Sequence, residues 1–151
     1  MENLVIKKFD NSNPRDIEEI LEIQKDAFLE IDTFPKEYLL DVSKDWPEGF
    51  LVAKVNEEIV GYIIGSKEKE VGLIISIAVK KEWRQKGIGG RLMTTLFENF
   101  KKEKVKIVFL HTREDNIETI KFYKMFGFKI RELVENYYSN KENAYLMEKI
   151  L

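Results

Sequence analysis

Hydrophobic positions along the chain change period several times, and each change marks an element. Residues 3–9 alternate apolar and polar, as in a strand with one covered face. The N-terminal stretch MENLVIKKFD therefore reads as a strand and lacks the unbroken apolar core of a signal peptide. Asn13-Pro14 supplies a helix cap and then proline at the first helical position, ahead of Ile17, Ile20, Leu21, Phe28 and Ile31 at helical spacing. The segment TFPKEYLLDV turns at Phe34-Pro35 and predicts a shorter helix that ends before Trp46-Pro47. Strand-like runs follow at 49–55, 59–66 and 71–79, and the short polar links NEE and KEKE between them predict an antiparallel meander.

Past a glycine-rich loop, Ile88, Leu92, Met93, Leu96, Phe97 and Phe100 return to helical spacing, and Lys101, Lys102 and Lys104 lie where cations complement a helix C-terminus. Residues 105–111 (VKIVFLH) contain four consecutive apolar positions, the pattern of a strand buried on both faces. Asn116 can cap a fourth helix that stops at Gly127, and two final strands, about 128–136 and 144–150, flank a polar loop. The order β-α-α-β-β-β-α-β-α-β-β predicts a single α/β (α+β) domain spanning 1–151, with a mixed central sheet of about seven strands and helices on both faces.

Composition narrows the chemistry. At 44% hydrophobic and 34% charged residues the chain has an ordinary globular balance. Its net charge of −2 offers no basic field to nucleic acid or an anionic membrane. No apolar run approaches the roughly 20 residues of a membrane helix, so a soluble, cytoplasmic protein is expected. There is no cysteine, which excludes disulfides, thiolate metal sites and a cysteine-linked intermediate. A single histidine, His111, excludes a multi-histidine metal centre, and no metal is expected.

The stretch EWRQKGIGGRLM, at 82–93, combines basic residues with three glycines at the start of a helix. Glycines there let an anion approach the unpaired amides of the first turn, with Arg84, Lys86 and Arg91 adding charge. A flexible surface turn explains the same residues equally well. Two nucleotide motifs fail: Gly90 is followed by Arg91-Leu92 where a P-loop needs Lys-Ser/Thr, and Leu92 stands where a dinucleotide fingerprint needs its third glycine.

IAVKKEWRQKGIGGRLM resembles the acetyl-CoA signature of the GCN5-related N-acetyltransferases, Arg/Gln-x-x-Gly-x-Gly/Ala, with Arg84, Gly87 and Gly89 in its places. A second block, DNIETIKFYKMFGF, resembles that family's next motif through Asn116, Tyr123 and Gly127-Phe128. The resemblance implies an acetyl-CoA-dependent enzyme. The strand backbone at Ile77, Ala78 and Val79 would hold the pantetheine arm, and Gln85, Lys86, Gly87, Ile88, Gly89 and Gly90 the pyrophosphate. Asn116 would contact the cofactor near the arm, and Tyr123 would lie beside its sulfur. From the residues alone, Asn116 is equally a helix cap and Tyr123 a core aromatic.

FLHTREDN further resembles the strand-to-helix junction of protein N-terminal acetyltransferases and ribosomal-protein alanine acetyltransferases. There His111 would act as base, through water. A tyrosine that such enzymes carry on the central strand is Leu73 here, so the proton route departs from that pattern. Phe34-Pro35 with Tyr38 resembles their pocket for the first residue of a peptide, and Tyr137 with Tyr138 their grip on its backbone.

The chemistry agrees with that resemblance. At pH 7 an α-amine of pKa about 8 costs roughly 1.4 kcal/mol to deprotonate, and a lysine of about 10.4 roughly 4.6. The expected reaction is direct attack by a peptide N-terminus in a ternary complex, with Tyr123 protonating the departing thiolate. Two other readings stay open. A polyamine or aminoglycoside acetyltransferase would use carboxylates such as Glu30, Asp32 and Glu37, and a catalytically weak acyl-CoA-binding module would fit the Leu73 departure.

Overall fold

A computed structural model describes residues 3–151; Met1 and Glu2, the start of the first strand-like stretch, lie outside the described residues. The elements are β1 (Leu4–Lys8), α1 (Pro14–Ala27), α2 (Lys36–Asp45), β2 (Phe50–Val55), β3 (Glu58–Glu68), β4 (Val71–Val79), α3 (Ile88–Lys102), β5 (Ile107–Arg113), α4 (Ile117–Met125), β6 (Lys129–Val134) and β7 (Ala144–Ile150). They build one seven-stranded sheet in the order β1-β2-β3-β4-β5-β7-β6. Every neighbouring pair is antiparallel except β4 with β5.

The apolar spacings sort the helices onto the two faces. On one face Leu92, Met93, Leu96 and Phe100 of α3 and Ile120 and Tyr123 of α4 pack against Ile63, Ile74, Val108, Leu110 and Met147 of the sheet. On the other, Ile17, Ile20 and Ile23 of α1 and Leu39 of α2 cover Val52, Tyr62 and Ile64. A buried ion pair, Lys54 Nζ to Asp16 Oδ1 at 3.1 Å, fastens the first turn of α1 to β2. None of the helices is long and apolar enough to cross a membrane, among the described residues.

Three expectations need correction. Helix α1 stops at Ala27, short of Phe28 and Ile31, because Phe28 is already extended and the buried Gln24 side chain binds the chain beyond it. Gln24 Nε2 donates to Phe34 O at 2.7 Å and Gln24 Oε1 accepts from Phe34 N at 3.0 Å, so the α1–α2 connection is folded back onto the helix. Ile31 falls in a short 3-10 turn and is exposed.

Strand β5 begins two residues later than expected and is not buried on both faces. Val108, Leu110 and Thr112 are buried beneath α3 and α4, whereas His111 is exposed and Phe109 only half covered. Helices α1 and α2 cover the β1–β4 half of their face and leave β5, β7 and β6 open. Phe109 is met there by the Arg131 guanidinium, 5.4 Å from its ring centre.

Finally, β6 ends at Val134, two residues short of the expected 136, because Asn136 turns with φ +53°; Tyr137 and Tyr138 lie in the β6–β7 loop.

Candidate functional site

The sheet splits in its middle. β4 pairs with β5 only through Val71, Gly72 and Leu73 opposite Ile107, Val108 and Phe109. Beyond that point β4 stays on β3 as far as Val79, while β5 follows β7 as far as Arg113. Lys80 N–H donates to Val60 O at 2.8 Å. By the alternation of an antiparallel ladder, Ala78 then bonds to its partner Tyr62, and the N–H and C=O groups of Ile77 and Val79 face the gap. A strip of unpaired backbone donors and acceptors is a binding surface for an extended amide-bearing chain. The Val79 carbonyl already accepts from Arg84 Nε at 2.9 Å.

At the end of that strip the loop after β4 delivers the start of α3. Gln85 (φ +60°) and Gly87 (φ +83°) both adopt left-handed backbone, and Gly87 is the helix cap. No side chain caps this end and no acidic residue occupies the first turn, so its amides are free for an anion. Arg84 and Lys86 are exposed beside them. The three glycines serve different ends. Gly87 is required by its backbone, with open space around it. A Cβ on Gly89 or Gly90 would instead stand 3.3 Å from Phe122 or 3.0 Å from Phe126, so these two let α4 pack closely across α3. Ile88 between them is buried in the core.

Tyr123 comes to the split from α4. It is 6% exposed and packs edge-on to Phe128. Burial pushes its phenol above the ordinary value of 10, so it holds its proton throughout the neutral range. Asn116 caps the same helix, accepting from Thr119 N at 3.3 Å; the side-chain amide hydrogens are left over for another partner.

The open face of the sheet forms a groove beside the split. Its floor holds Leu73, 42% exposed, Phe109 and His111. One wall is the α1–α2 connection with the first turn of α2, where Phe34 stacks on Tyr38 at 5.0 Å and Pro35 is the cap that precedes α2. The other is the β6–β7 loop, where Tyr137 and Tyr138 meet edge to face at 5.0 Å. His111 lies flat against Tyr137, with ring centres 4.2 Å apart and planes 12° apart. Although the residue keeps contact with solvent, partial burial pulls the imidazole below its ordinary 6.5, with Glu132 opposing the shift, so near pH 7 the ring is neutral and able to accept a proton.

Arg113, which ends β5, was not singled out from sequence. It holds the Asp32 carboxylate with two hydrogen bonds and Glu142 with a third. Its neighbours Asp32 and Glu142 are far apart along the chain, and no local pattern marks them. Asp32, one of the three carboxylates a polyamine site would have used, is thus engaged by the protein's own guanidinium, whereas Glu30 and Glu37 are exposed.

Comparison with known proteins agrees with this geometry. A family model described as the acetyltransferase (GNAT) family matches residues 17–128. An uncharacterized N-acetyltransferase of Methanocaldococcus jannaschii is 36% identical over 148 residues, covering 97% of this chain and 91% of the relative. An N-alpha-acetyltransferase of Sulfurisphaera tokodaii is 31% identical over 150 residues, covering 91% of this chain and 89% of that one. Among solved structures, Ard1 from Thermoplasma volcanium superimposes with a TM-score of 0.91 at 34% identity, covering 99% of this chain and 98% of that one.

Proposed function

The chain belongs to the acetyltransferase (GNAT) family and uses acetyl-CoA, and from that premise we propose that it acetylates the α-amino group of a peptide or protein N-terminus. The observation that carries this reading is the groove: an open sheet face beside the β4–β5 split, walled by two aromatic-bearing loops, with a neutral imidazole on its floor. An extended backbone with one free amine fits such a trough better than a polycationic polyamine does, because the walls are aromatic and Asp32 is taken up by Arg113. The archaeal relative that bears the name N-alpha-acetyltransferase supports the same substrate class. An acetyltransferase domain over 1–151 and a cytoplasmic location are part of this reading.

Acetyl-CoA, when bound, supplies the thioester acyl group. The backbone groups of Ile77 and Val79 would take the pantetheine amides, with Ala78 packed between them. The amides of residues 85–90 would hold the pyrophosphate, with Arg84 and Lys86 alongside. These residues fit the group: an unpaired strand edge leads to an uncapped helix start free of acidic residues.

Phe34, Pro35 and Tyr38 would receive the first side chain, and Tyr137 and Tyr138 the peptide backbone. His111 takes the proton of the attacking ammonium, directly or through one water, and Tyr123 delivers a proton to the leaving sulfur. Asn116, with its free amide hydrogens, would steady the arm. With no cysteine in the chain, attack proceeds in a ternary complex without a cysteine acyl-enzyme.

The test is acetyl-CoA turnover against peptides varied at their first two residues, with spermidine, an aminoglycoside and internal-lysine peptides alongside. Turnover of peptides with free α-amines and not of α-blocked lysine peptides is expected. Turnover confined to the small amines would overturn the reading, and CoA binding without turnover of any amine would replace it with an acyl-CoA-binding module.

A further inference from the structure

The two walls of the groove are separate pieces of chain. Asp32 belongs to the α1–α2 connection, whereas Tyr138, Asn140 and Glu142 belong to the β6–β7 loop. Arg113 stands between them at the end of β5. Its Nε and Nη2 donate to the two Asp32 oxygens at 2.7 and 2.8 Å. Nη1 donates to Glu142 Oε2 at 2.8 Å and points to Asn140 Oδ1 at 3.5 Å. Its guanidinium carbon lies 4.0 Å from the centre of the Tyr138 ring.

The Arg113 side chain is 11% exposed and that of Asp32 18%, so water screens this pair less than it screens a surface pair, whereas Glu142 is half open to solvent. Three of its five N–H donors are hydrogen-bonded to the two walls and a fourth points at Asn140, while its flat face lies on Tyr138.

We propose that Arg113 is a positioning residue that couples the two walls, setting the spacing between Phe34–Tyr38 and Tyr137–Tyr138 and thereby the fit of the amine substrate. The proposal rests on the reading of this groove as the peptide site. The geometry demands arginine: a lysine ammonium carries equal charge but cannot form the two-pronged bond to Asp32, reach Glu142 and stack on Tyr138 at once.

The experiment compares the wild type with Arg113→Met, Arg113→Lys, Asp32→Asn and Glu142→Gln. One readout is amide hydrogen exchange over residues 28–35 and 135–143, with 84–91 as the internal control. The other is the KM for the peptide beside the KM for acetyl-CoA. Arg113→Met is expected to speed exchange in both walls while leaving 84–91 unchanged, and to raise the peptide KM about tenfold or more with the acetyl-CoA KM unchanged. Arg113→Lys, which keeps the charge and serves where the methionine variant fails to fold, is expected to behave the same way.

The effects of Asp32→Asn and Glu142→Gln should be non-additive with Arg113 present and additive in its absence. Faster exchange in one wall only, full rescue by lysine, or additivity with Arg113 in place would overturn the coupling. If the wild type turns over no peptide, the substrate reading fails by that result alone, and the exchange comparison still decides whether Arg113 couples the walls.

Discussion

His111 and Tyr123 illustrate how one protein surface sets two protonation states in opposite directions. Burial disfavours the charged form of each: it lowers the imidazole and raises the phenol. The first is left a free base and the second a protonated acid at the same neutral pH, as acyl transfer from a thioester to an amine requires. If His111 is the base, kcat/KM should rise with pH along a limb centred below 6.5, since the imidazole must be deprotonated and its value in the free protein is depressed. In His111→Ala that limb should vanish and kcat fall by about 10²-fold; an unchanged profile would remove His111 from the role. Tyr123→Phe deletes one hydroxyl and keeps the packing against Phe128. It should lower kcat by about 10²-fold while leaving the affinity for CoA intact, which single-turnover kinetics and calorimetry can separate. Leu73 can neither give nor take a proton, so in the proposed mechanism His111 would serve alone or with water.

At the scale of elements, periodicity carried most of the fold. The helices were legible because Asn13-Pro14 and Asn116 cap them and because apolar residues recur on one side, as at Leu92, Leu96 and Phe100. The meander was legible because NEE and KEKE are too short for anything but hairpins. What periodicity could not carry was partnership between elements. VKIVFLH has the apolar run of a doubly covered strand, yet α1 and α2 pack over β2–β4 and not over it, and that depends on where other elements lie. Likewise the glycines read as a single phosphate signature, while the structure divides them between a left-handed turn at Gly87 and helix contact at Gly89 and Gly90. That division is measurable. Alanine gains roughly 1 kcal/mol over glycine within a helix, but at Gly90 its methyl meets the Phe126 ring at 3.0 Å. Gly90→Ala should therefore be neutral or destabilising in the wild type and stabilising by about 1 kcal/mol in a Phe126→Ala background. Thermal unfolding of the four proteins closes this cycle, and equal effects in both backgrounds would show that Phe126 is not what keeps position 90 small.

Across the whole molecule, the site is an outcome of long-range pairing. Its cofactor side could be read from contiguous motifs, because residues 77–90 run through strand, loop and helix without a break. Its groove could be read only in fragments, since Arg113 and Asp32 are separated by 81 positions and become neighbours only after the sheet has formed. The α1 layer must therefore be anchored, for it carries one wall of the groove. Lys54 and Asp16 anchor it, with side chains 9% and 2% exposed. A buried pair gains little over apolar residues of the same size, because both charges have given up water. Removing one partner is different, since the other remains buried without compensation. Asp16→Ala should accordingly cost about 3–5 kcal/mol in urea unfolding, whereas Asp16→Leu with Lys54→Met should return to within about 2 kcal/mol of the wild type. The double variant should also keep its peptide KM, because the anchor would still hold α1 to β2 by apolar contact. If that KM rose while stability was restored, the ion pair would be setting the angle of α1, and with it the position of Phe34, beyond simply attaching the helix to the sheet.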